Sequence, residues 1–406
     1  MFNIFRPSDD YDYGSGNLDP EKYVFVHYDL ESTISVEKAA YDLSIGQSVG
    51  NPNVRNHWET DELFENHSCR VDTPKGYLRD RKRAYVTIAF PVINTDWDGD
   101  GIAHLLCQVL GGQADIGHIV RCRINSFTFP RSVRDHFKEP KYGMRGLRHF
   151  TGQYGKPLFG GIIKPKTGLR PHQLLDMVKE LVDGGVDFIK EDEILSNPAF
   201  CKLEDRSSLI SNYIQNCGRK VIYCFSINGD PHTIEYRANY IAEDGGNGVH
   251  INFWSGLGAY HTIRRLDLPL FLHFQKSGDK VITHPGNAFG MSWFAMCQLA
   301  ALSGIDSIHA GMYGGYMNGD TGELQYVMDM LARCNVVPAL SCGMHPGNVN
   351  HVTKQVGTEY MANVGGALHG HPGGTLAGCK AMRQAIEQDG GVEYYAAIKE
   401  WGVVNG

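Results

Sequence analysis

Apolar runs that end in polar residues alternate with helix-period segments along the C-terminal two thirds of the chain. The eight runs are PLFGGIIKPK, VDFIKEDE, KVIYCFSING, GNGVHINFWS, LPLFLHFQKSG, IDSIHAGM, VVPALSCGM and EYMANVGGALHGH. Amphipathic stretches such as HQLLDMVKELVDGG and HTIEYRANYIAEDGG separate them, and several end in Gly, which is a helix-stop signal. Eight strands alternating with helices over roughly 240 residues is the period and length of a (β/α)8 TIM barrel. The alternative is an open doubly wound sheet, but the count of eight favours the barrel.

The first part of the chain follows a different pattern. Strands are predicted at KYVFVHYDLES, RAYVTIAFPV and VRCRINSFTFP, with helices at SVEKAAYDLSIG and GIAHLLCQVLGG. This order predicts a smaller α+β domain over residues 1–145, followed by the barrel domain over 146–406. The polar, Gly-rich segment FKEPKYGMRGLRHFTGQYGKP is predicted to link the two.

Composition narrows the class of protein. The 406 residues carry a net charge of -7 with both signs interspersed, which argues against a basic face for nucleic acid. The acidic N-terminus lacks the pattern of a signal peptide, and no apolar run reaches the length of a membrane span. The ten cysteines form no CxxC pair, so we expect reduced thiols in a cytoplasmic protein.

A TIM barrel carries its active site at the C-terminal ends of its strands, so the chemistry can be sought there. Taken alone, each polar strand-end residue is more often solvated or salt-bridged than functional. Together they would share one end of the barrel. His250 and His273 lie in mid-strand and are interpreted as hydrogen-bonded core groups. The strand-end candidates are Lys164, Lys166, Lys190, Asp192, Glu193, Asn228, Gln275, Lys276, His309, Ser341, Gly343, Gly365, Gly366 and His369.

The second strand ends in an unusual cluster of charge, FIKEDE. Lys190 and Asp192 would share one face of a strand, and Glu193 can join them only if the strand ends there and the chain turns. Two carboxylates suit a hard cation such as Mg²⁺, which a cationic lysine would repel. A neutral Lys190 that had reacted with CO2 would instead add a third anion, as a carbamate. From this motif alone, a salt bridge between Lys190 and its neighbours is the favoured interpretation.

Two of these motifs carry a family resemblance. GGIIKPKTGLRP followed by GGVDFIKEDE resembles the two best-known signatures of the RuBisCO large-subunit superfamily, and SIHAGMYGG, ALSCGM and NVGGALHGHPGGTLAG extend the likeness. The resemblance implies an N-terminal ferredoxin-like domain, a C-terminal barrel, and a homodimer or a larger assembly of dimers. It also implies a carbamate on Lys190 that binds Mg²⁺ together with Asp192 and Glu193.

The same resemblance implies roles for other strand-end residues. Lys164 would be the proton-transferring lysine, with Lys166 near the substrate oxygens and His309 as a further catalytic residue. The phosphate of the substrate would bind at Ser341, Gly343, Gly365 and Gly366. That position agrees with the general rule that barrels bind phosphate after strands seven and eight.

The sequence also departs from the carboxylase pattern. Carboxylases carry a lysine in the loop after strand six, where this chain has GMYGGYMNGD with Tyr316 in the matching place. Their strand five ends in a His-Arg pair, where Gln275 and Lys276 stand here as the matching substrate- and phosphate-binding residues, so a phosphate contact is altered. The glutamate and asparagine that carboxylases lend to the neighbouring subunit's site are matched by Asp42 and Gln108.

These departures favour a RuBisCO-like protein (form IV type) over a carboxylase. We expect Mg²⁺-dependent enolisation of a phosphorylated ketose or oxo-sugar acid through an enediolate, ending in isomerisation, tautomerisation or decarboxylation. A true ribulose-bisphosphate carboxylase is one alternative. A Schiff-base lyase using Lys164 or Lys190 is another, but it leaves Asp192 and Glu193 without a task. A non-catalytic binding protein is the third. Trp254, Met312 and Tyr316 would either shape a pocket for an apolar substituent or simply pack.

Overall fold

The computed structural model describes residues 3–4, 14, 18–313 and 321–404. The chain forms two compact units. The first comprises Met1–Phe137 and Gly278–Leu302, and the second Lys138–Ser277 and Ser303–Gly406. Within the described ranges, no helix combines the length and apolarity needed to cross a membrane.

The elements run along the chain in the following order. Up to residue 137 they are β1 (Asn3–Ile4), β2 (Tyr23–Ser32), α1 (Val36–Gly46), β3 (Val54–Arg55), α2 (Asp61–His67), β4 (Arg70–Val71), α3 (Lys75–Leu78), β5 (Arg83–Pro91), α4 (Gly101–Val109), β6 (Ile119–Thr128) and α5 (Arg131–Arg134). Up to residue 277 they are α6 (Gly143–Thr151), β7 (Leu158–Ile162), α7 (Pro171–Asp183), β8 (Phe188–Lys190), α8 (Leu203–Asn216), β9 (Ile222–Ser226), α9 (Pro231–Glu243), β10 (Gly248–Asn252), α10 (Gly258–Arg265) and β11 (Phe271–Gln275). The remainder are α11 (Lys280–Thr283), β12 (Phe289–Met291), α12 (Trp293–Leu302), β13 (Ser307–Gly311), α13 (Thr321–Arg333), β14 (Val337–Leu340), α14 (Val349–Val356), β15 (Met361–Val364), α15 (Gly366–His369), α16 (Thr375–Glu387) and α17 (Val392–Trp401). Short 3-10 helices occur at Pro20–Lys22, Val92–Asn94, Gly112–Asp115 and Phe253–Ser255.

The first unit is built on a five-stranded sheet in the order β12-β6-β2-β5-β4. The long central strand β2 pairs antiparallel with both β5 and β6. It alternates buried and half-buried residues along its first half, as expected for a strand with one covered face. The predicted strands and helices of this region are all present.

One strand of this sheet comes from a distant part of the sequence. β12 pairs in parallel with β6, and Arg123 of β6 donates to the backbone oxygens of Thr283, His284 and Met291. Gln298 of α12 exchanges hydrogen bonds with the backbone of Phe127. The segment 278–302 therefore belongs by its contacts to the first unit, although the sequence pattern had assigned it to the barrel domain.

The second unit contains a closed barrel of eight parallel strands, in the order β10-β11-β13-β14-β15-β7-β8-β9. Each of the eight predicted runs contributes one strand, so the barrel prediction is confirmed and the open sheet is excluded. A hydrophobic cluster made by residues near the strand starts, among them Phe188, Phe271 and Met361, fills the N-terminal end of the barrel.

The segment predicted as a linker contains a helix instead. Met144 and Leu147 of α6 belong to the hydrophobic cluster of the barrel, and Tyr142 and Phe150 pack against it. The helix therefore covers apolar surface at the N-terminal end of the barrel. The prediction of a linker was wrong here. It rested on the polar and Gly-rich composition of the whole segment and gave too little weight to these four apolar side chains.

Candidate active site at the barrel mouth

Two lysine–carboxylate pairs lie where strands β7 and β8 end, at the C-terminal end of the barrel, which we call the barrel mouth. The Nζ of Lys164 is 2.6 Å from Oδ2 of Asp192. The Nζ of Lys190 is 3.4 Å from Oε2 of Glu193. Lys190 and Asp192 are almost fully buried, whereas the side chain of Lys164 is 30% exposed. The site thus concentrates two amines and two carboxylates at one point on the barrel.

Strand β8 ends at Lys190, and the turn that begins at Glu193 brings the Glu193 carboxylate to Lys190. Neighbouring strands hold the turned segment in place. The side chain of Gln275 donates to Oε2 of Glu193 at 3.0 Å, and that of Asn228 donates to the backbone oxygen of Glu193 at 2.6 Å. The expectation that Glu193 joins Lys190 and Asp192 only through a turn is therefore met.

The third acid of the motif, Glu191, faces the other way and has a structural partner. Arg206 of α8 binds both carboxylate oxygens, at 2.7 and 2.9 Å, and both side chains are fully buried. Tyr223 and the backbone N–H of Ser226 also donate to this carboxylate. Arg206 further donates to the backbone oxygen of Ser196, in the loop that follows Glu193. Sequence reasoning did not find Arg206, because nothing in the local pattern links it to the motif.

Burial and charge shift the pKa values of this cluster. Burial, aided by Lys164, lowers the pKa of Lys190, although Glu193 and Asp192 act in the opposite direction. Burial alone would raise the pKa of Glu193, but Lys190 and Ser277 lower it to about 2. Lys190 is thus a buried amine that loses its proton more readily than an ordinary lysine. The uncharged amine is the form that reacts with CO2.

Three histidines line the barrel interior next to this cluster. The ring of His273 is 4.7 Å from that of His309 and 6.3 Å from that of His250, measured between centroids. Burial lowers the pKa of all three well below the usual histidine value, and the positive charge of Lys190 acts in the same direction. All three are therefore neutral at neutral pH.

The histidines are less completely hydrogen-bonded than the sequence reading expected. His273 Nδ1 is 2.6 Å from the Ser307 hydroxyl, which fits the core role. In contrast, both ring nitrogens of His250, Nε2 of His273, Oε1 of Gln275 and Oδ1 of Asn363 are buried with no partner in the described part of the protein. Buried polar atoms without a partner are rare, so these unpaired atoms mark a place suited to a polar ligand or water. Within the described residues, the interpretation of His250 as a hydrogen-bonded core group therefore finds no support.

The predicted phosphate-binding residues follow strands β14 and β15. Ser341 is buried, and Gly343 adopts a φ of 111°, which only glycine takes readily. Gly365 lies beside Lys164: a Cβ there would be 3.4 Å from Cε of that lysine. A Cβ on Gly366 would meet no atom of the described residues within 4 Å.

The remaining predicted residues have varied surroundings. Lys166 is exposed and Lys276 half-buried. His369 bonds through Nε2 to the backbone oxygen of Ile162, at 3.0 Å, and through Nδ1 to Thr375. Trp254 is 59% exposed whereas Met312 is buried. Tyr316 lies outside the described residues.

The first unit contains a polar cavity of about 430 Å³, lined among others by Gln47, His67, Asn94, His104 and Gln108. The Gln108 side chain bonds to the backbone of Asn94 and to Thr95. Asp42 does not line this cavity. Its carboxylate is buried in α1, where it pairs with Lys38 and lies 3.1 Å from Nε2 of His118. The residue near Gln108 is instead Gln47, which donates to the Gln108 backbone oxygen at 2.5 Å. The correspondence of Asp42 and Gln108 to the two residues that carboxylases lend to a neighbouring subunit therefore stays a prediction.

The donor set at the barrel mouth decides what it could bind. Asp192 and Glu193 supply two carboxylates, the ligands that Mg²⁺ prefers. No group of three or more His, Cys, Asp and Glu residues in the described ranges could hold a metal ion. A carbamate on Lys190 would supply a third oxygen ligand from a side chain already at the site. The residues present therefore fit a magnesium site that includes a modified Lys190.

Comparison with known proteins finds relatives along nearly the whole chain. The family profile "Ribulose bisphosphate carboxylase large chain, catalytic domain" matches residues 143–396. The ribulose bisphosphate carboxylase of Pyrococcus furiosus is 29% identical over 392 residues, covering 93% of this chain and 90% of the relative. The 3-oxo-isoapionate-4-phosphate decarboxylase of Rhizobium etli is 32% identical over 391 residues, covering 88% of this chain and 91% of the relative. The crystal structure of octameric ribulose-1,5-bisphosphate carboxylase/oxygenase from Pyrococcus horikoshii has a TM-score of 0.89 at 24% identity, covering 100% of this chain and 99% of that one. The relatives thus include both carboxylases and a decarboxylase.

Proposed function

The chain belongs to the ribulose bisphosphate carboxylase large-chain family, and we propose that it enolises a phosphorylated oxo-sugar acid or ketose without fixing CO2. The observation that carries this proposal is the pair of lysine–carboxylate contacts, Lys164 with Asp192 and Lys190 with Glu193. Proton transfer at the carbon beside a carbonyl group needs a base such as an amine and a cation near the carbonyl oxygen. A lysine next to two carboxylates that can bind a cation meets both requirements.

In this proposal Lys190 is carbamylated, and the carbamate, Asp192 and Glu193 hold Mg²⁺. The lowered pKa of the buried Lys190 amine supports this assignment, because CO2 reacts with the uncharged amine. When bound, Mg²⁺ would stabilise the negative charge of the enediolate form of the substrate. Gln275 and Asn228 hold the Glu193 segment in place for that purpose.

Lys164 is the proposed proton carrier. In the ketose reaction its neutral amine removes a proton from the carbon beside the carbonyl, and the same proton or one from solvent returns at another carbon. In the decarboxylation of a β-keto acid, the bond to the carboxylate breaks, CO2 leaves, and the electron pair passes into the enediolate. The ammonium form of Lys164 then protonates the carbon that lost CO2, which completes the product. Asp192 orients Lys164 through their 2.6 Å contact.

Decarboxylation is the branch we favour. The relative with a decarboxylase name is 32% identical, compared with 29% for the Pyrococcus furiosus carboxylase. Gln275 argues against carboxylation, because an amide replaces the imidazole expected there in a carboxylase. Isomerisation of a phosphorylated ketose is the second candidate, since it uses the same first step and the same residues.

The phosphate group of the substrate is proposed to bind at Ser341, Gly343, Gly365 and Gly366. These residues follow strands β14 and β15, the seventh and eighth of the barrel, where barrels of this type bind phosphate. Lys166 is exposed in the segment that follows β7, and in this proposal it contributes positive charge near the substrate oxygens.

A screen of phosphorylated oxo-sugar acids and ketoses in D2O, with Mg²⁺ and bicarbonate present, tests the proposal. We expect CO2 release from an oxo acid, or deuterium uptake into a ketose, with the wild-type protein. Lys164→Met should abolish both, whereas Lys179→Met, which removes an exposed lysine of α7 paired with Asp176, should change neither. Undiminished turnover by Lys164→Met would refute the assigned role of Lys164.

A further inference from the structure

Asn363 is a buried polar residue of β15 to which neither the sequence motifs nor the proposed reaction gives a task. Its Nδ2 lies 2.7 Å from Nε2 of His309, on β13. Asn363 and His309 are 1% and 5% exposed, so bulk solvent does not reach this bond. Because Oδ1 of Asn363 has no partner among the described residues, the contact with His309 is the hydrogen bond that fixes this amide.

The contact constrains the tautomer of His309. A neutral imidazole has one nitrogen that donates and one that accepts. Burial is the largest cause that lowers the pKa of His309 well below the usual value, so the ring is neutral at neutral pH. An amide N–H that donates to Nε2 needs a lone pair on that nitrogen. The proton of the neutral ring is then on Nδ1.

The neighbouring strand makes room for the amide in this orientation. In the register of β7 and β15, Gly160 is the partner of Asn363. A Cβ on Gly160 would lie 2.6 Å from Oδ1 and 3.1 Å from Cγ of Asn363, closer than real Cβ contacts allow. Glycine at position 160 therefore permits the observed position of the Asn363 side chain.

We propose that Asn363 is a positioning residue that holds His309 in the tautomer protonated at Nδ1, so that its second nitrogen is a neutral hydrogen-bond donor. The consequence for the reaction rests on the proposed function, whereas the tautomer itself does not. A neutral N–H suits a substrate oxygen on which negative charge develops, such as an enediolate or phosphate oxygen. A general base at this position would need a lone pair there, so the proton transfer is left to Lys164.

Long-range ¹H–¹⁵N spectra of protein labelled with ¹⁵N-histidine test the proposal without any turnover. The signals of His309 are identified as those missing from His309→Gln. We expect the wild-type protein to show a protonated Nδ1 and an unprotonated Nε2. In Asn363→Asp the carboxylate can only accept, so the proton should move to Nε2. In Asn363→Leu the bias should be lost and the signals of Nε2–H should appear.

Asn247→Leu is the control for general loss of stability. Asn247 bonds to Tyr223 and Val221 at the N-terminal end of the barrel, so its loss should leave the His309 signals unchanged. A wild-type spectrum with Nε2–H, or a tautomer unaltered in both Asn363 variants, would overturn the proposal. The wild-type spectrum decides the tautomer even if a variant fails to fold. With a turned-over substrate in hand, Asn363→Asp should reduce kcat/KM by roughly 10–100-fold, as loss of one hydrogen bond to a charged oxygen commonly does. If Asn363→Asp shifts the tautomer of His309 but leaves kcat/KM unchanged, the proposed role of His309 in the reaction is refuted. The positioning role of Asn363 then stands.

Discussion

Lys190 is the residue on which most of the proposed chemistry depends. It ends strand β8, is buried, and its Nζ lies 3.4 Å from the Glu193 carboxylate. A permanently charged ammonium in this position would oppose a divalent cation, whereas a carbamate would bind it. The ammonium form of Lys190 corresponds to the salt-bridge interpretation, and its carbamate form corresponds to the metal-site interpretation.

Replacing Lys190 distinguishes these interpretations. Loss of an outer-sphere partner of a metal ligand commonly costs roughly 10–100-fold in affinity, so Lys190→Met, which removes a direct ligand, should weaken Mg²⁺ binding by at least about a hundredfold. Calorimetric titration with Mg²⁺ in bicarbonate buffer measures this. A carbamate carbon signal should also appear after incubation with ¹³C-bicarbonate in the wild type and in Lys179→Met, but not in Lys190→Met. Equal Mg²⁺ affinity in Lys190→Met would restore the salt bridge as the better interpretation.

The neutral histidines of the barrel interior predict a pH dependence of stability. Folding lowers the pKa of His250, His273 and His309, so below about pH 6.5 the unfolded chain binds protons that the folded protein does not. The free energy of unfolding should therefore decrease as the pH falls below that value, by about 1.4 kcal/mol per pH unit for each such histidine. His250→Leu should reduce the slope between pH 6 and pH 5 by about that amount. Urea unfolding at several pH values measures the slope, and an unchanged slope in His250→Leu would contradict the account.

At the scale of elements, strands β7 and β15 show how small residues place the site. Gly160 faces Asn363, whereas a Cβ on the adjacent Gly161 would meet Leu181 at 3.3 Å and Val186 at 3.5 Å. Successive side chains of a strand point to opposite sides, so the two glycines border different neighbours. In the run GGIIKPK, Gly160 therefore faces the barrel interior, and Gly161 lies where β7 packs on α7.

This difference gives a matched pair of variants. Gly160→Ala should destabilise the protein by about 1–3 kcal/mol, because the new methyl group displaces the Asn363 amide. Gly161→Ala should have the smaller effect, since the end of the Leu181 side chain can move by a few tenths of an ångström. Urea unfolding of both variants measures the contrast. Equal costs, or a larger cost at Gly161, would show that the space at Gly160 is not needed.

The elements also show what the sequence pattern could and could not predict. The eight barrel strands were predictable because each combines an apolar run with a polar end, and a helix of 3.6-residue period follows most of them. The cluster of Lys164, Lys190, Asp192 and Glu193 was predictable from strand ends alone. The bond between Asn363 and His309 and the pair of Glu191 and Arg206 were not, because they join residues of different elements whose approach depends on barrel register and helix packing. Residues 278–302 are a similar case: their pairing with β6 joins parts of the chain more than 160 residues apart.

At the scale of the whole molecule, the proposed homodimer follows from the family resemblance, in which each site uses the barrel of one subunit and the N-terminal domain of another. Lys190→Met in the barrel and Gln108→Leu in the first unit should each inactivate the protein. Mixing the two variants under conditions that exchange subunits should restore about a quarter of the wild-type activity, because half of the dimers are mixed and one of the two sites in each is intact. Light scattering reports the dimer. No recovery on mixing, or an active monomer, would contradict a shared site.

The central claim is that the barrel enolises its substrate but does not fix CO2, and one experiment with two isotopes tests it most directly. The same sample is given the phosphorylated oxo acid in D2O and, separately, ribulose 1,5-bisphosphate with radiolabelled bicarbonate. We predict CO2 release with deuterium incorporated into the product of the oxo acid, and no label above background in phosphoglycerate. A lost charge-assisted contact on the new carboxylate costs roughly 1.5–3 kcal/mol, which alone corresponds to about a tenfold to hundredfold slower carboxylation. Label entering phosphoglycerate at ordinary turnover rates would contradict the account and identify the protein as a carboxylase.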